Sequence, residues 1–249
     1  IIGGNESFTD KISQAIGLKN VLLNKRVTRI QSVKDKVLVS YLDTTTNKSS
    51  IAEAKYVVST IPLFRLFEVQ FEPKLSDKKL QAIQGQQWGS YFKVHVFVNK
   101  KAKKLFSKDD YVYLPVLSDS ELGVIYDGNP DQDTDIKILS LLVHGSWAEA
   151  FNMMNLDDVR DKIKQGLDNL WPGIKSEIQH MEFYRFHPRA IAAWPVGRSR
   201  FDELSQEIRR PENRVYFAGD FTETSHSDGA FLSAERVVRQ IKIASETKQ

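Results

Sequence analysis

The chain has 249 residues, of which 41% are hydrophobic and 27% charged, and its formal net charge is +3. This length suits one large domain or two smaller ones, and so mild a charge, dispersed along the chain, argues against nucleic-acid binding. The absence of cysteine excludes disulfides, thiolate metal sites and cysteine nucleophiles, and it fits a reducing, cytoplasmic location. No apolar run approaches the roughly 20 residues of a membrane span, so none is expected.

The first 61 residues predict one helix followed by strands. Residues 7–16 carry apolar side chains at helical spacing and stop at Gly17, which is typical of a short helix. The segments with strand-like composition are 21–23, 27–30 and 37–41, and a turn is expected at 44–50. The run 56–61 is continuously apolar and ends at Pro62, as expected for a strand that is covered on both faces.

Residues 62–194 predict an inserted, mostly antiparallel domain. After an extended piece, Ser76 is expected to cap a short helix. The segment 91–98 alternates strictly, so that one face is wholly apolar and the other carries Lys93 and His95. Further strands are expected at 111–117, 123–126, 138–143 and 178–186, with a helix at 156–170.

The C-terminal stretch VYFAGDFTETSHSDGAFLSAERVVRQI, residues 215–241, predicts a strand, an acidic turn and a helix that begins near Asp228 or Gly229. The predicted apolar face of this helix consists of Ala230, Ala234, Val237, Val238, Ile241 and Ala244. The pattern places Gly219 and Asp220 at the carboxyl end of a strand, where open α/β folds bind ligands. Asp220 can accept hydrogen bonds from ribose or ribityl hydroxyls, and a helix start favours an anionic group. On spacing alone, Asp220 and Asp228 can also be ordinary turn and cap residues.

The same stretch resembles the C-terminal signature of the flavin amine oxidase superfamily, in which a strand ending F-A-G-[ED] leads to a helix with G-A-x-x-[SA]-G-x-x-A-A. That superfamily includes monoamine and polyamine oxidases, phytoene desaturases and protoporphyrinogen oxidases. Three more segments resemble family segments in the expected order: VTRI from Val27, AKYVVSTIPL from Ala54 and GSYFKVHVFV from Gly89. Together, the four segments extend over nearly the whole chain.

The resemblance implies a non-covalently bound FAD and assigns residues to it. The Val27 backbone would pair with the adenine, and Lys93 would be the catalytic residue that reaches toward the flavin N5 through a water molecule. The other cofactor-binding residues that the resemblance implies are Gly219, Asp220, Asp228, Gly229 and Ala230.

The substrate side departs from the monoamine oxidase pattern. Ala190 stands near the place of one of the two tyrosines that face each other before the flavin, and His226 stands near the place of the other. The resemblance therefore implies no aromatic cage, and we expect His95, Trp194 and His226 to line the pocket for a small-molecule substrate. The histidines show no metal-ligand spacing, so no metal is expected.

The expected fold class is α+β or α/β: part of a Rossmann-like FAD-binding domain formed by both chain ends, 1–61 and 195–249, with an inserted substrate-binding domain, 62–194, of mostly antiparallel β-sheet plus helices. The G-x-G-x-x-G loop of the family is not present in the sequence. We therefore expect an incomplete FAD-binding domain that needs a missing N-terminal segment or a separate chain carrying that loop. An incomplete domain exposes apolar surface and a strand edge, which predicts a homodimer or a weakly stable monomer.

The function that the resemblance implies is that of the C-terminal part of an FAD-dependent oxidoreductase. Hydride would pass from a substrate C–H bond to the flavin N5, and oxygen would reoxidise the flavin to give hydrogen peroxide. Two alternatives stay open: a desaturase-type reaction on a larger apolar substrate, and a cofactor-free fragment or subunit that is inactive alone.

Overall fold

The computed structural model describes residues 4–109, 111–130 and 132–246, and of residues 187 and 188 it describes the backbone only. The α-helices are α1 (Gly4–Ile16), α2 (Asp77–Gln84), α3 (Gly145–Met153), α4 (Leu156–Leu170), α5 (Glu203–Arg209) and α6 (Ser227–Glu246). Short 3-10 helices are formed by Leu18–Asn20, Leu63–Glu68, Lys100–Leu105, Ile174–Glu177 and Asp220–Thr222. The strands are β1 (Lys25–Val33), β2 (Lys36–Asp43), β3 (Lys48–Ala54), β4 (Val57–Ser59), β5 (Gln70–Glu72), β6 (Gln87–Asn99), β7 (Ser107–Lys108), β8 (Tyr111–Val112), β9 (Val116–Leu117), β10 (Val124–Asp127), β11 (Ile136–His144), β12 (Ile178–Ala193) and β13 (Val215–Phe217). The chain divides into two compact units, one of Ile1–Gly85 with Gly197–Gln249 and one of Gln86–Val196.

The first unit contains a four-stranded sheet with the strand order β3-β2-β1-β5. β1, β2 and β3 form an antiparallel meander, and β5 joins β1 in parallel with Ile30 opposite Phe71. The β1–β2 register shifts between Val27 and Arg29, so Thr28 is a bulge residue. A bulge kinks its strand and increases the local twist, and it therefore sets the direction of the chain at Val27.

The first unit also contains a parallel pair that joins the two parts of the sequence. β4 pairs with β13, with Val57 opposite Val215 and Ser59 opposite Phe217. Every residue of β13 is buried, which is typical of a parallel strand covered on both faces. Because the two strands are parallel, β4 and β13 end at the same edge of this sheet.

α2 and α5 pack together in the first unit through one buried cation. Ser76 caps α2 by accepting a hydrogen bond from the Lys79 N–H (3.2 Å), as the sequence predicts. The Lys79 ammonium donates to the carbonyl oxygens of Glu207 and Arg210 at the end of α5. A cation in this place satisfies carbonyl groups that a helix leaves without partners and opposes the negative end of its dipole.

The second unit contains a five-stranded antiparallel sheet with the order β12-β6-β11-β10-β9. One face of β6 is fully buried through Phe92, Val94, Val96 and Val98, which confirms the predicted alternation. Helices α3 and α4 supply residues such as Phe151 to the same core. The opposite face of β6 therefore carries the half-buried Lys93 and His95.

Two predictions near the N-terminus were wrong. Residues 21–23 form no strand, and the turn expected at 44–50 ends early because β3 begins at Lys48 and was not predicted. The side chains of β3 are almost all exposed, so hydrophobic alternation carries no signal there, and the strand exists because its backbone pairs with β2.

The buried side of α6 differs from the predicted apolar face. Ala230, Ala234 and Val238 are exposed, whereas Gly229 and Ser233 are buried together with Val237. The helix is rotated because polar groups on its inner side bind the end of β13 and the residues after it: the Ser233 hydroxyl accepts the N–H of Gly219 at 2.9 Å. A satisfied buried hydroxyl costs little, so this contact prevails over the burial of three alanine and valine side chains.

Residues 62–85 lie in the first unit, although the sequence places them in the inserted domain. β5 pairs with β1, and α2 packs on α5, so both elements contact the parts of the chain that form the first unit. The contiguous unit is Gln86–Val196, compared with the expected 62–194.

Candidate functional site

The carboxyl ends of β4 and β13 bring two predicted regions together. Phe217 pairs with Ser59, and the Ala218 N–H donates to the Ser59 carbonyl oxygen at 3.0 Å, so the pairing continues one residue further. Beyond this pairing, Ile61 follows β4 and Gly219 follows β13, each two residues after the end of its strand. This edge, where both parallel strands end, is the place at which open α/β sheets bind ligands.

Gly219 has a backbone conformation that a side chain would prevent. Its φ is +150°, and a Cβ at this position would lie 2.3 Å from the ring of Phe221. Asp220 follows it and is half-buried. Burial raises the pKa of the Asp220 carboxyl above its ordinary value, although N–H groups of residues 220 and 221 act in the opposite direction. Such a carboxylate is suited to accept hydrogen bonds from ligand hydroxyls.

The start of α6 lies one to two residues before the predicted one. His226 precedes the helix, and its carbonyl oxygen accepts the N–H groups of Gly229 (3.0 Å) and Ala230 (3.4 Å). These two N–H groups, which the resemblance assigns to the flavin, are therefore already bound. The first N–H groups of the helix belong to Ser227 and Asp228, and these are the ones that a helix start offers to a ligand.

Thr224 holds the first turn of α6 in place. Its hydroxyl donates to Asp228 Oδ1 at 3.2 Å, and its backbone oxygen would lie 2.0 Å from a Cβ on Gly229. The Gly229 backbone must therefore approach the loop closely. The charge of a protonated His226 lowers the pKa of Asp220, so the structure brings these two predicted residues together.

Val27 lines a cavity of about 460 Å³. Val27, Ile61 and Val69 form its apolar part, while Arg65 and Glu68, paired at 2.5 Å, add charge. Because Ile61 follows β4, the cavity lies at the edge where Gly219 follows β13. Apolar walls with polar groups beside them suit a flat heterocycle such as adenine.

Ser59 is a residue of this edge that the sequence did not indicate. It is 4% exposed, and its hydroxyl has no hydrogen-bond partner within the described residues. Buried hydroxyls are normally bonded, so the Ser59 hydroxyl is a candidate contact for a ligand. The signal that could have found it is a polar side chain within the strand-forming run YVVSTI.

In the second unit, Lys93 and His95 lie on one face of β6 and share it with residues of the neighbouring strands. His95 Nδ1 is 2.8 Å from the Ser140 hydroxyl of β11, and the His95 ring meets Tyr184 of β12 edge to face at 5.6 Å. The Tyr184 hydroxyl donates to Glu182 at 2.8 Å. Sequence reasoning missed these three neighbours, although Glu182 and Tyr184 alternate along a predicted strand.

The electrostatics of this face favour the neutral form of His95. Burial lowers the pKa of the His95 imidazole, the positive charge of Lys93 lowers it further, and Glu182 opposes both. The hydrogen bond to Glu182 raises the pKa of Tyr184. This face therefore offers a neutral imidazole beside an ammonium group.

Trp194 lies away from that pair. It follows the last residue of β12, where Ala193 is opposite Gln87 at the start of β6. Lys93 is six residues further along β6, which is about 20 Å at the rise of a strand. The structure thus brings Lys93 and His95 together and does not bring Trp194 beside them.

Two features are absent from the described ranges 4–109, 111–130 and 132–246. No cluster of three or more histidine or acidic side chains could hold a metal ion. No helix combines the length and the apolar character needed to cross a bilayer.

The family model of the flavin containing amine oxidoreductases matches residues 1–242. The chain belongs to this family. Relatives within it include an L-amino-acid oxidase of Bothrops atrox, 27% identical over 263 residues, which cover 100% of this chain and 50% of that protein. An L-amino-acid oxidase of Echis ocellatus is 26% identical over 260 residues, covering 99% and 50%. The chain therefore spans about half the length of these curated relatives.

Solved structures of flavin amine oxidases share the fold. Cyclohexylamine oxidase from Brevibacterium oxydans IH-35A matches with a TM-score of 0.79 and 18% identity, covering 96% of this chain and 52% of that one. Putrescine oxidase bound to putrescine matches with a TM-score of 0.76 and 18% identity, covering 97% and 53%. The expected fold class, with an antiparallel sheet inserted between the two chain ends, is confirmed.

Proposed function

We propose that the protein is an FAD-dependent oxidoreductase that removes hydride from a substrate C–H bond next to nitrogen and passes the electrons to oxygen, giving hydrogen peroxide. The observation that carries this proposal is the shared edge of β4 and β13 in a chain of the flavin-containing family: Asp220 follows β13, and Ile61, which follows β4, lines the Val27 cavity. The L-amino-acid oxidases among the relatives support an oxidase of amines or amino acids rather than a desaturase.

The residues of the first unit fit FAD. The cavity beside Val27 would take the adenine, and Asp220 would accept hydrogen bonds from the ribityl hydroxyls. The N–H groups of Ser227 and Asp228, at the positive end of α6, would face an electron-rich part of the cofactor. Gly229 and Ala230 would act indirectly, by shaping the helix start that presents those groups.

The pyrophosphate would need further donors. We propose that a G-x-G-x-x-G loop on additional polypeptide, in the same or another chain, supplies them. The lengths of the relatives support this, because about half of each lies outside the matched region.

The second unit would supply the groups beside the reaction. When bound, FAD supplies the acceptor for the two electrons of the substrate bond. The Lys93 ammonium would hold a water molecule and stabilise negative charge that develops near it. The neutral His95, fixed by Ser140 through Nδ1, would present its other nitrogen to the substrate.

Oxidation of candidate substrates by the purified full-length protein tests the proposal. We expect the visible absorbance of oxidised flavin, its bleaching by an L-amino acid or an amine without oxygen, and peroxide release when oxygen is admitted. A protein that binds FAD and dehydrogenates an apolar substrate without peroxide would favour the desaturase reaction instead. A full-length protein with no flavin absorbance, and no gain of it on adding FAD, would contradict the proposal.

A further inference from the structure

The guanidinium group of Arg236, on the inner side of α6, is completely engaged. Nε donates to Glu223 Oε1 at 2.8 Å, Nη2 donates to the Phe217 carbonyl oxygen at 3.0 Å and to Thr222 Oγ1 at 3.1 Å, and Nη1 donates to the Arg209 carbonyl oxygen at 3.3 Å. A fifth hydrogen bond, from Nη1, goes to Gln240 Oε1 at 3.1 Å. Arginine has five N–H donors in a fixed plane, and all five have an acceptor here.

These acceptors belong to the elements that surround residues 219–226. Phe217 is the last residue of β13, Arg209 is the last residue of α5, and Thr222 and Glu223 lie within the segment itself. The Thr222 hydroxyl passes the contact on by donating to the Gly219 carbonyl oxygen at 2.8 Å. One side chain on α6 thus connects the end of β13, the end of α5 and the middle of the segment.

Glu223 is shared by two arginines. Its second oxygen lies 3.1 Å from Arg209 Nη2, and Arg209 Nε donates to the Thr222 carbonyl oxygen at 2.5 Å. The side chains are only 14–18% exposed, so solvent screens this cluster weakly and an incomplete set of partners would be costly. The cluster therefore favours one conformation of the segment.

Arg236 affects the segment through its hydrogen bonds and not by changing the pKa of Asp220. The charged neighbour that affects the pKa of Asp220 is His226, while the contacts of Arg236 are with backbone and side chains two to three residues away. What Arg236 determines is the path of the chain from Gly219 to the start of α6.

We propose that Arg236 is a positioning residue for the flavin site: with Glu223 as its partner, it holds residues 219–226 in the shape that presents Asp220 and the first turn of α6 to the cofactor. This inference rests on the proposed function. A lysine would keep the charge but has one nitrogen and no planar fork, so it would restore only part of the effect.

The dissociation constant of FAD from the full-length protein tests the inference. We expect Arg236→Gln and Glu223→Gln each to weaken FAD binding by about 10- to 100-fold, the effect of losing one charge-assisted hydrogen bond. Both variants should also speed hydrogen exchange of the amides of 219–226 in the flavin-free protein. Arg236→Lys should give an intermediate dissociation constant.

The matched control is Arg239→Gln, since Arg239 lies on the same helix, 72% exposed, beside Glu235, and should leave both measurements unchanged. If Arg236→Gln does not fold, Glu223→Gln and Thr222→Val decide, because the first removes the negative charge beside the guanidinium and the second removes one of its acceptors. Folded variants with wild-type FAD affinity and exchange rates would overturn this inference alone. A wild-type protein that binds no flavin would overturn the proposed function and this inference with it.

Discussion

Replacement of Lys79 by methionine should make the stability of the protein respond differently to pH. The Lys79 side chain is fully buried, its ammonium donates to the carbonyl oxygens of Glu207 and Arg210 (2.6 Å to the latter), and it lies 4.9 Å from the ring centroid of Phe217. Methionine has a similar volume but neither charge nor donor, so the variant removes the titrating group with little change in packing.

The magnitude follows from the pKa of Lys79. Burial lowers this pKa from 10.5 to about 8, although Glu207 and Glu212 partly oppose the shift. Between these values the unfolded chain binds more protons than the folded one, so the stability of the wild type rises with pH through this window. At about 1.4 kcal/mol per pH unit, the wild type should gain roughly 2–3 kcal/mol over Lys79→Met between pH 7 and pH 10.

Urea denaturation of both proteins at pH 7, 8, 9 and 10 measures this difference. Lys78→Met is the matched control, because Lys78 is the neighbouring lysine of α2, is 47% exposed and pairs with Glu203. Its difference from the wild type should stay within a few tenths of a kcal/mol over the same range. A gap between wild type and Lys79→Met that does not change with pH would refute the reasoning, since the carbonyl oxygens would then compensate fully for burial.

Four further predictions follow from the site and the fold. Asp220→Ala should weaken FAD binding by about 1.5–3 kcal/mol, measured by titration of the flavin-free protein, and unchanged affinity would remove Asp220 from the site. Lys93→Met should slow reoxidation of the reduced enzyme by oxygen roughly 10²-fold in stopped-flow mixing, with FAD affinity preserved; a wild-type rate would place Lys93 on a solvated face. Gly229→Ala should destabilise the protein by about 2 kcal/mol or more, because its Cβ would lie 2.0 Å from the Thr224 carbonyl oxygen, whereas Ser227→Ala in the same turn should cost less than half of that in a melting experiment. The 249-residue chain by itself should sediment as a dimer or melt at low temperature, and a stable monomer would count against this.

Local sequence patterns predicted the elements in which the apolar residues themselves form the buried face. The buried face of β6 was evident from alternation, and α4 was evident from apolar residues at helical spacing. α5 was missed because its seven residues are too few for a periodic signal. β3 was missed because its strand geometry comes from pairing with β2 alone.

The candidate site divides in the same way. Gly219 and Asp220 could be named as candidate site residues because the strand and the turn that follows it are adjacent in sequence. The role of Arg236 was not, since its partner Glu223 lies 13 residues away and Arg209 lies 27 residues away. The predicted apolar face of the last helix does not include Arg236, and only the packed structure shows that its side chain faces inward.

The first unit is built from two separate parts of the sequence, 1–85 and 197–249, and this limits the order in which the chain can fold. The Ser76 hydroxyl donates to Glu212, 136 residues later in the sequence, and within the part of the chain that the structure describes β4 pairs with β13. The contiguous unit Gln86–Val196 has no such requirement. During synthesis on the ribosome, the antiparallel sheet can therefore form before β13 has been synthesised and can pair with β4. The late pairing of β4 with β13, which are distant in sequence, is the step expected to be slow.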